Sequence, residues 1–280
     1  MTFKAKARAF LDSLAVLDRR LIFALVAVTL GVAVSLPPRL PASPADADVK
    51  KVFDLVENLP ENSFILVSAD LDPANAPELL PQAKAMLKHA FRKNHRVAVL
   101  YFSASAAGVA EELLRESARE YPAKEYGRDY VLLPYMPDYA AALTQMGSDF
   151  YGIYDTDSRG AQLKTLPVMS GISRLADVNL AVVFCATTLL DNWVTLASDR
   201  FGFKLAGGVT AVLQPRYGPY LQTGQLAGLL GGMKGGADYE TLLGAPASGA
   251  AGLDALNIAN FLALALILCA NAALWLRRLL

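Results

Sequence analysis

The sequence predicts an α/β protein with a Rossmann-like, three-layer domain. Its mostly parallel sheet has about five strands, and N- and C-terminal transmembrane helices flank it. Two observations lead to this. Short apolar runs rich in β-branched residues alternate with amphipathic stretches through the middle of the chain, and an uncharged apolar run lies near each end, at 21–36 and 257–276. Strands that are apolar throughout and separated by helices indicate a parallel sheet covered on both faces.

Composition limits the classes of partner. The chain has 280 residues, of which 54% are apolar and 19% charged, with a formal net charge of zero. This length can bury a sizeable core. Binding to nucleic acid needs a clustered basic surface, so the balanced charge argues against it. We expect the lipid bilayer as one partner, and a second copy of the chain or another membrane subunit as a second. Any small-molecule ligand is left unidentified.

The two apolar runs are the candidate membrane spans. At about 1.5 Å per residue, 16 to 20 helical residues cover roughly 24–30 Å, close to the thickness of the hydrocarbon core. The run 257–276 is predicted to be a transmembrane helix. The shorter run 21–36 is either an uncleaved anchor or the apolar region of a signal peptide, with "PADA" (44–47) as a small-residue cleavage pattern. We favour the anchor, because that pattern lies about ten residues beyond the apolar run.

Basic residues near the spans predict the orientation. Lysines and arginines are concentrated before the first run and directly after the second: Lys4, Lys6, Arg8, Arg19, Arg20, Arg277 and Arg278. The protein is therefore expected in the cell membrane, with both termini cytoplasmic and the central domain extracytoplasmic. The predicted segments are a cytoplasmic N-terminus (1–20), a first span (21–36), a Pro-rich stalk (37–50), the α/β domain (51–243), a flexible connector (244–256), a second span (257–276) and a cytoplasmic tail (277–280).

Hydrophobic periodicity gives the order of elements in the domain. The predicted strands are 63–70, 96–103, 129–135, 179–187 and 204–212. The predicted helices are 76–94, 106–121, 137–147 and 189–202, and a last helix is expected within 216–240. The section 148–176 is expected to be irregular.

Ligands of open parallel sheets bind beyond the carboxyl ends of the strands. Polar residues follow the predicted strands at that edge. They form the candidate ligand crevice: Ser68, Asp70, Asp72, Ser103, Ser105, Tyr135, Thr187, Thr188, Asp191, Gln214, Arg216 and Tyr217. This expectation follows from the fold and not from a chemical motif.

The stretch "ADLDPANA" (69–76) is the sharpest local motif in the crevice. Two carboxylates two residues apart at a strand end can hold a hard cation or supply a nucleophile. The motif resembles the first motif of the haloacid-dehalogenase phosphatases, where a strand ends in Asp-x-Asp. It departs from that family at Ala74, where Thr or Val is usual, and the family's later lysine and acidic pair have no clear counterpart. The alternative is structural: Asp72-Pro73 makes a turn and Asp70 caps nearby amides.

Histidines and cysteines predict no metal or catalytic centre. His89 and His95 are expected at a helix surface or helix end. Cys185 falls in a predicted strand and Cys269 in a predicted span, so they are not expected to pair. We predict no catalytic residue, no metal site and no cofactor. No Gly-x-Gly-x-x-Gly follows the first strand, which disfavours a dinucleotide enzyme.

The stretch "RYGPYLQTGQLAGLLGGMKGGADYE" (216–240) is unusually rich in glycine. Read as one helix, it would allow another helix to pack at close to backbone distance. The predicted interface glycines are Gly224, Gly228, Gly231, Gly232 and Gly235. The alternative is that this stretch packs on its own sheet.

The same stretch, together with "VFDLVENLP" and "LDALNIANF", resembles a family of prokaryotic two-span membrane proteins. The resemblance covers most of the chain. It implies an α/β domain outside the membrane between two spans, and it implies no activity.

Three functional hypotheses follow. The first is a non-enzymatic, membrane-anchored α/β domain that acts in assembly, sensing or ligand binding, as an oligomer or as a subunit of a membrane complex. The second is a membrane-anchored hydrolase or transferase that uses Asp70 and Asp72 with a divalent metal. The third is an accessory subunit of a transporter. The sequence favours the first, because it contains no recognisable catalytic arrangement.

Overall fold

The computed structural model describes residues 18–36, 40–41 and 43–279, with side chains described up to residue 276. The predicted cytoplasmic segment before Asp18, the stalk positions 37–39 and 42, and Leu280 lie outside the described residues. The chain divides into two compact units, Ala42–Ala250 and the terminal segments Met1–Pro41 with Ala251–Leu280.

The first unit is an α/β domain with one six-stranded sheet. Its strands are β1 (Phe64–Asp70), β2 (Arg96–Leu100), β3 (Tyr130–Leu132), β4 (Leu180–Cys185), β5 (Lys204–Val209) and β6 (Leu229–Gly231). Their order across the sheet is β3-β2-β1-β4-β5-β6, and every neighbouring pair is parallel. The predicted parallel α/β fold is confirmed, with six strands where about five were expected.

Helices lie before, between and after the strands. In chain order they are α1 (Arg19–Ser35), α2 (Ala47–Glu57), α3 (Ala76–Arg92), α4 (Ala107–Arg119), α5 (Tyr139–Met146), α6 (Leu189–Asn192), α7 (Asp199–Phe201), α8 (Gly218–Thr223), α9 (Gly232–Leu242) and α10 (Ser248–Leu279). A π-helical turn, Trp193–Ser198, joins α6 to α7. The predicted helix 189–202 is therefore interrupted by wider turns.

Alternating side chains of the strands pack into two separate cores. On β1, Phe64 and Leu66 face one core, which includes Trp193 and Phe150. Ile65 and Val67 face the other, where they meet residues of α2, α3 and α4. Because both faces are buried, β1 to β5 are apolar over most of their length, and this explains why the sequence predicted them.

The section 148–176 is irregular, as expected, but it forms part of a core. It contains three 3₁₀ turns and buries Phe150, Tyr154, Leu163, Val168 and Met169 against the first face of the sheet. Aromatic and aliphatic side chains of this irregular section thus cover part of the first face of the sheet.

Two predicted boundaries are wrong. The Pro-rich stalk was expected to extend to residue 50, but α2 begins at Ala47 and buries Val49, Val52 and Val56 in the domain. The flexible connector 244–256 was expected to lack structure, but α10 begins at Ser248. The carboxylate of Glu240 binds the amides of Ala247, Gly249 and Ala250 and so fixes that start.

One helix of the described residues is long and apolar enough to cross a membrane by length and composition. It is Ser248–Leu276, with a mean hydropathy of 2.0. Its side chains are largely exposed, including Phe261, Leu264 and Trp275. Helix α1, with 17 residues, is too short to count as a second helix of this kind. Its apolar side chains Phe23, Val28 and Val34 are nevertheless exposed.

Candidate functional site

The strand order places a switch point between β1 and β4. The chain runs outward from β1 to β2 and β3 on one side, and from β4 to β5 and β6 on the other. At such a point the loops beyond the carboxyl ends separate and leave a crevice. Asp70, the last residue of β1, lies beside Cys185, the last residue of β4, in the pairing register. These two residues mark the base of the candidate site.

Asp70 is buried and fully engaged by donors of its own chain. Its Oδ1 accepts the amides of Phe102 and Ser103 at 2.6 and 3.0 Å, and its Oδ2 accepts the hydroxyl of Ser68 at 2.7 Å. Burial raises the pKa of Asp70 to about 6, against the opposing effect of these three hydrogen bonds, and the charge of Asp72 adds to the rise. Asp70 ties the end of β1 to the loop after β2.

Asp72 forms a second, more open cluster with two serines. Its Oδ1 accepts the hydroxyl of Ser103 at 3.0 Å and also the hydroxyl of Ser105. The two serine oxygens lie 2.8 Å apart. Asp72 and Ser103 are half-buried, whereas Ser105 is exposed. The predicted grouping of Ser68, Asp70, Asp72 and Ser103 is therefore present as one connected hydrogen-bond network.

The loops after β4 and β5 form the other wall. Arg216 donates from Nε to Asp191 Oδ2 at 3.0 Å, and the buried Tyr217 hydroxyl donates to the carbonyl of Thr187 at 3.4 Å. Thr187 and Thr188 are exposed. Burial raises the pKa of the Cys185 thiol to about 11, so this thiol stays protonated at neutral pH and lacks nucleophilic character.

Two further predicted crevice residues contact residues at the ends of other strands, Gln214 at β6 and Tyr135 beside β2. Gln214 lies against Gly231, and an added Cβ on that glycine would collide with the glutamine side chain. The ring of Tyr135 stacks on Tyr101, with their centroids 6.2 Å apart. Tyr135 thus belongs to the β2–β3 side of the domain.

Sequence reasoning missed two buried residues near the site. Tyr154 comes from the irregular section, and burial and the charge of Asp70 raise its pKa. Its hydroxyl has no hydrogen-bond partner among the described residues. Gln82, on α3, donates to the carbonyls of Val209 and Gly232 at 3.1 and 2.7 Å and holds the end of β5. No local signal marks either residue, because their partners are distant in sequence.

The histidines are buried, so their predicted place at the surface is wrong, although His89 does lie in the last turn of α3. His89 is fully buried, with Nε2 2.7 Å from Glu57 Oε2 and Nδ1 2.9 Å from the Tyr239 hydroxyl. Burial lowers the pKa of His89 to about 4, so the ring is neutral at pH 7. His95 is also buried, with Nε2 3.1 Å from the carbonyl of Val56.

The glycine-rich stretch is not a single helix, and that prediction is also wrong. Gly224, with φ of +78°, ends α8, and the chain then forms β6 and α9. Leu229 and Leu230 are buried and pair with Gly207 and Gly208 of β5. The stretch supplies the sixth strand.

Most of the predicted interface glycines face residues of their own domain. Added Cβ atoms would meet α2 at Gly228, Gln214 at Gly231, Ala211 and Glu78 at Gly232, and the backbone of Leu230 at Gly235. Gly224 is exposed, with nothing near an added Cβ. The close packing that the glycines permit is therefore used inside this domain, and a contact of Gly224 with another subunit stays a prediction.

Both cysteines are free: Cys185 is buried and Cys269 is exposed. Among the residues that the structure describes, no group of three or more His, Cys, Asp and Glu side chains could hold a metal ion. Comparison with known proteins found no matching family model, no matching curated protein and no matching solved structure. The resemblance to a two-span membrane family stays a prediction.

Proposed function

We propose that this chain is a membrane-anchored α/β protein that binds a ligand without transforming it, in the crevice between the ends of β1 and β4. The observation that carries the proposal is which polar groups of the crevice are already hydrogen-bonded or ion-paired within the chain and which are exposed. The charged groups are satisfied internally, Asp70 by three donors and Asp191 by Arg216. The exposed hydroxyls are those of Ser105, Thr187 and Thr188, and the exposed Arg216 is already paired with Asp191. Such hydroxyls both donate and accept hydrogen bonds but provide no base at neutral pH.

Native mass spectrometry of the full chain in mild detergent tests this. We expect a retained small molecule on the wild-type protein and on Ser170→Ala, a control at an exposed serine outside the crevice. The combined variant Ser105→Ala with Thr187→Val should lose that molecule while keeping its unfolding temperature. Absence of any retained molecule, or retention by the crevice variant, would overturn the proposal. The same spectra give the subunit count and so test the expected oligomer.

We further propose that α1 is a second anchor, that both termini are cytoplasmic, and that the domain is extracytoplasmic. Support comes from the exposed apolar side chains of α1 and the basic residues beside both helices. Cys185 is buried and Cys269 is exposed on α10, so Ser173→Cys is added to a Cys269→Ser background and reports alone. A membrane-impermeant maleimide should label it in intact cells. Labelling only after permeabilisation would reverse the assigned side.

One observation favours the alternative of a hydrolase or transferase. The pKa of Asp70 is raised to about 6 beside a second carboxylate, Asp72, and perturbed carboxyl groups occur in catalytic sites. An assay of aryl phosphate hydrolysis with added Mg²⁺ distinguishes this enzyme from the non-enzymatic ligand-binding protein. Turnover that Asp70→Asn abolishes, with unfolding temperature unchanged, would favour the enzyme.

A further inference from the structure

A second concave site lies on the β3 side of the domain, away from the β1–β4 switch point. A groove of about 530 Å³ runs between α4 and the outer strand β3. Its volume falls within the range of about 300–1,000 Å³ usual for small-molecule sites. The loop at Ser158–Arg159 closes one side. We name it the β3 groove.

The β3 groove is lined by three arginines and one carboxylate. Arg115 and Arg119 come from α4, Arg159 from the loop, and Glu111 is the one acidic lining residue. Arg115 pairs with Glu112 at the surface. Within the described part of the chain, no carboxylate forms an ion pair with Arg119 or Arg159. The guanidinium groups of these two arginines can therefore bind an anion. A guanidinium group can donate two parallel hydrogen bonds to two oxygens of one phosphate or carboxylate.

Three tyrosines contribute aromatic rings to the lining of the β3 groove. Tyr101, Tyr126 and Tyr130 line it, and the rings of Tyr126 and Tyr130 meet edge to face at 5.6 Å. The guanidinium carbon of Arg159 lies 3.5 Å from the centroid of the Tyr126 ring. This stacking holds Arg159 over the groove wall and combines a cation with an apolar platform.

The loop that carries Arg159 is fixed by hydrogen bonds. Asp157 Oδ1 accepts the amides of Arg159 and Ala161 at 2.9 and 2.8 Å. The amide of Ser158 donates to the carbonyl of Leu132 on β3 at 2.9 Å. A site held in place before binding loses less freedom on association than a flexible one.

We propose that the β3 groove binds a small organic phosphate, with the phosphate on Arg119 and Arg159 and a planar or apolar body against Tyr126 and Tyr130. The net positive lining favours an anion, and the tyrosines favour an organic phosphate over inorganic phosphate. This site is separate from the crevice at the switch point, because neither arginine belongs to the crevice. The two proposals therefore succeed or fail independently.

Titration calorimetry of the full chain in neutral detergent tests the proposal, with phenyl phosphate as the probe. Phenol and inorganic phosphate are the comparators, since each carries one half of the recognised chemistry. We expect phenyl phosphate to bind more tightly than either. The double variant Arg119→Gln with Arg159→Gln should bind at least about tenfold more weakly, the effect of losing one charge-assisted contact. Arg174→Gln, an exposed arginine of another loop, is the matched control and should bind as wild type.

Three results would overturn the proposal: no binding of phenyl phosphate to the wild type, equal binding by the double variant, or binding of phenol as tight as that of phenyl phosphate. A titration with phosphatidic acid in the micelles distinguishes binding of a lipid headgroup from binding of a soluble phosphate. Arginine-dependent binding of that lipid, without binding of phenyl phosphate, would also reject a small soluble phosphate. Equal unfolding temperatures of the variants and the wild type exclude misfolding as the cause of a loss.

Discussion

Glu240 Oε1 accepts the amide of Gly249 at 2.9 Å, at the beginning of the apolar helix α10. Its Oε2 accepts the amides of Ala247 and Ala250 at 2.8 and 2.9 Å. Glu240 is itself buried on α9. The first amides of a helix lack partners within the helix, and a carboxylate there satisfies them and interacts favourably with the helix dipole.

Glu240→Ala should release this helix start. Three amides lose their acceptor, and the free energy of unfolding should fall by about 1–3 kcal/mol. Hydrogen–deuterium exchange followed by mass spectrometry should show faster exchange across residues 245–251. Glu61→Ala, at an exposed position, should leave that exchange unchanged. Unaltered exchange in Glu240→Ala would contradict the capping role.

Asp70→Asn should flatten part of the pH dependence of stability. The pKa of Asp70 is raised from 3.8 to about 6, so between these pH values the folded protein holds a proton that the unfolded chain releases. This contribution is complete below pH 4 and is lost as pH rises through 6. A difference of one pKa unit between the folded and unfolded states corresponds to about 1.4 kcal/mol. The contribution of Asp70 to the free energy of unfolding therefore has an upper limit of the order of 3 kcal/mol. Asparagine can accept the same amides and stays neutral.

The measurement is chemical unfolding of wild type and Asp70→Asn between pH 4 and 7. The stability of the variant relative to wild type should rise from pH 4 to 6 and then level off. Asp155→Asn, an exposed control, should show no such rise. A constant difference across the range would mean that Asp70 does not titrate in this window.

Tyr239→Phe should destabilise the packing of α9 on α3. The Glu57 carboxylate accepts from His89 Nε2, and the hydrogen bond to His89 and the one to Lys93 lower the pKa of Glu57. The other ring nitrogen, Nδ1, therefore accepts from the Tyr239 hydroxyl at 2.9 Å. Loss of that donor leaves a buried acceptor unsatisfied, at a cost of about 1–3 kcal/mol. Thermal unfolding of Tyr239→Phe is compared with that of Tyr139→Phe, a change at an exposed tyrosine. The control variant is expected to keep the unfolding temperature of the wild type.

His89 also gives stability a second pH dependence of opposite sign. Its pKa is lowered from 6.5 to about 4, so the unfolded chain takes up a proton in this window before the folded protein does. Stability from the neutral ring is present above pH 6.5 and is lost as pH falls toward 4. In Asp70→Asn the histidine effect remains, so this variant should lose stability more steeply on acidification than wild type. Burial lowers the pKa of His95 as well, so both histidines contribute to this loss. If the stability of Asp70→Asn did not fall between pH 6.5 and 4, the assignment to the buried histidines would be contradicted.

Gly228→Ala should be destabilising, because the new Cβ would lie 2.9 Å from the carbonyl oxygen of Asp48 and 2.9 Å from the amide nitrogen of Val52. Both are backbone atoms of α2, so the helix must shift, at a cost of about 1–3 kcal/mol. Gly108→Ala is the matched control. No atom lies within 4 Å of its added Cβ, and alanine should stabilise α4 by about 1 kcal/mol. Equal unfolding midpoints for the two variants would exclude the close contact.

The sequence predicted those elements whose periodicity is local. Helices α3 and α4 and strands β1 and β4 were found within a few residues, because burial on one face or both leaves a direct pattern. Strand β6 was missed, since three residues inside a glycine-rich run carry no pattern of their own. Pairing with β5 makes this segment a strand.

The candidate site was predicted in part, for the same reason. The rule for parallel sheets correctly brought Asp70, Asp72 and Ser103 together. It did not predict that the side chain of Gln214 would lie against Gly231 at the end of β6. The burial of His89 was equally out of reach, because its partners Glu57 and Tyr239 lie 32 and 150 positions away in sequence.

The outermost strands β3 and β6 have three residues each, whereas β1 has seven. On β3, the carbonyl of Leu132 is already bonded to Ser158. Edge strands this short present few unpaired backbone N–H and C=O groups with which a strand of another molecule could pair. Many proteins use short edge strands in this way to avoid aggregation. A homo-oligomer of this protein should therefore form through side chains of helices and loops and not by extension of the sheet across subunits.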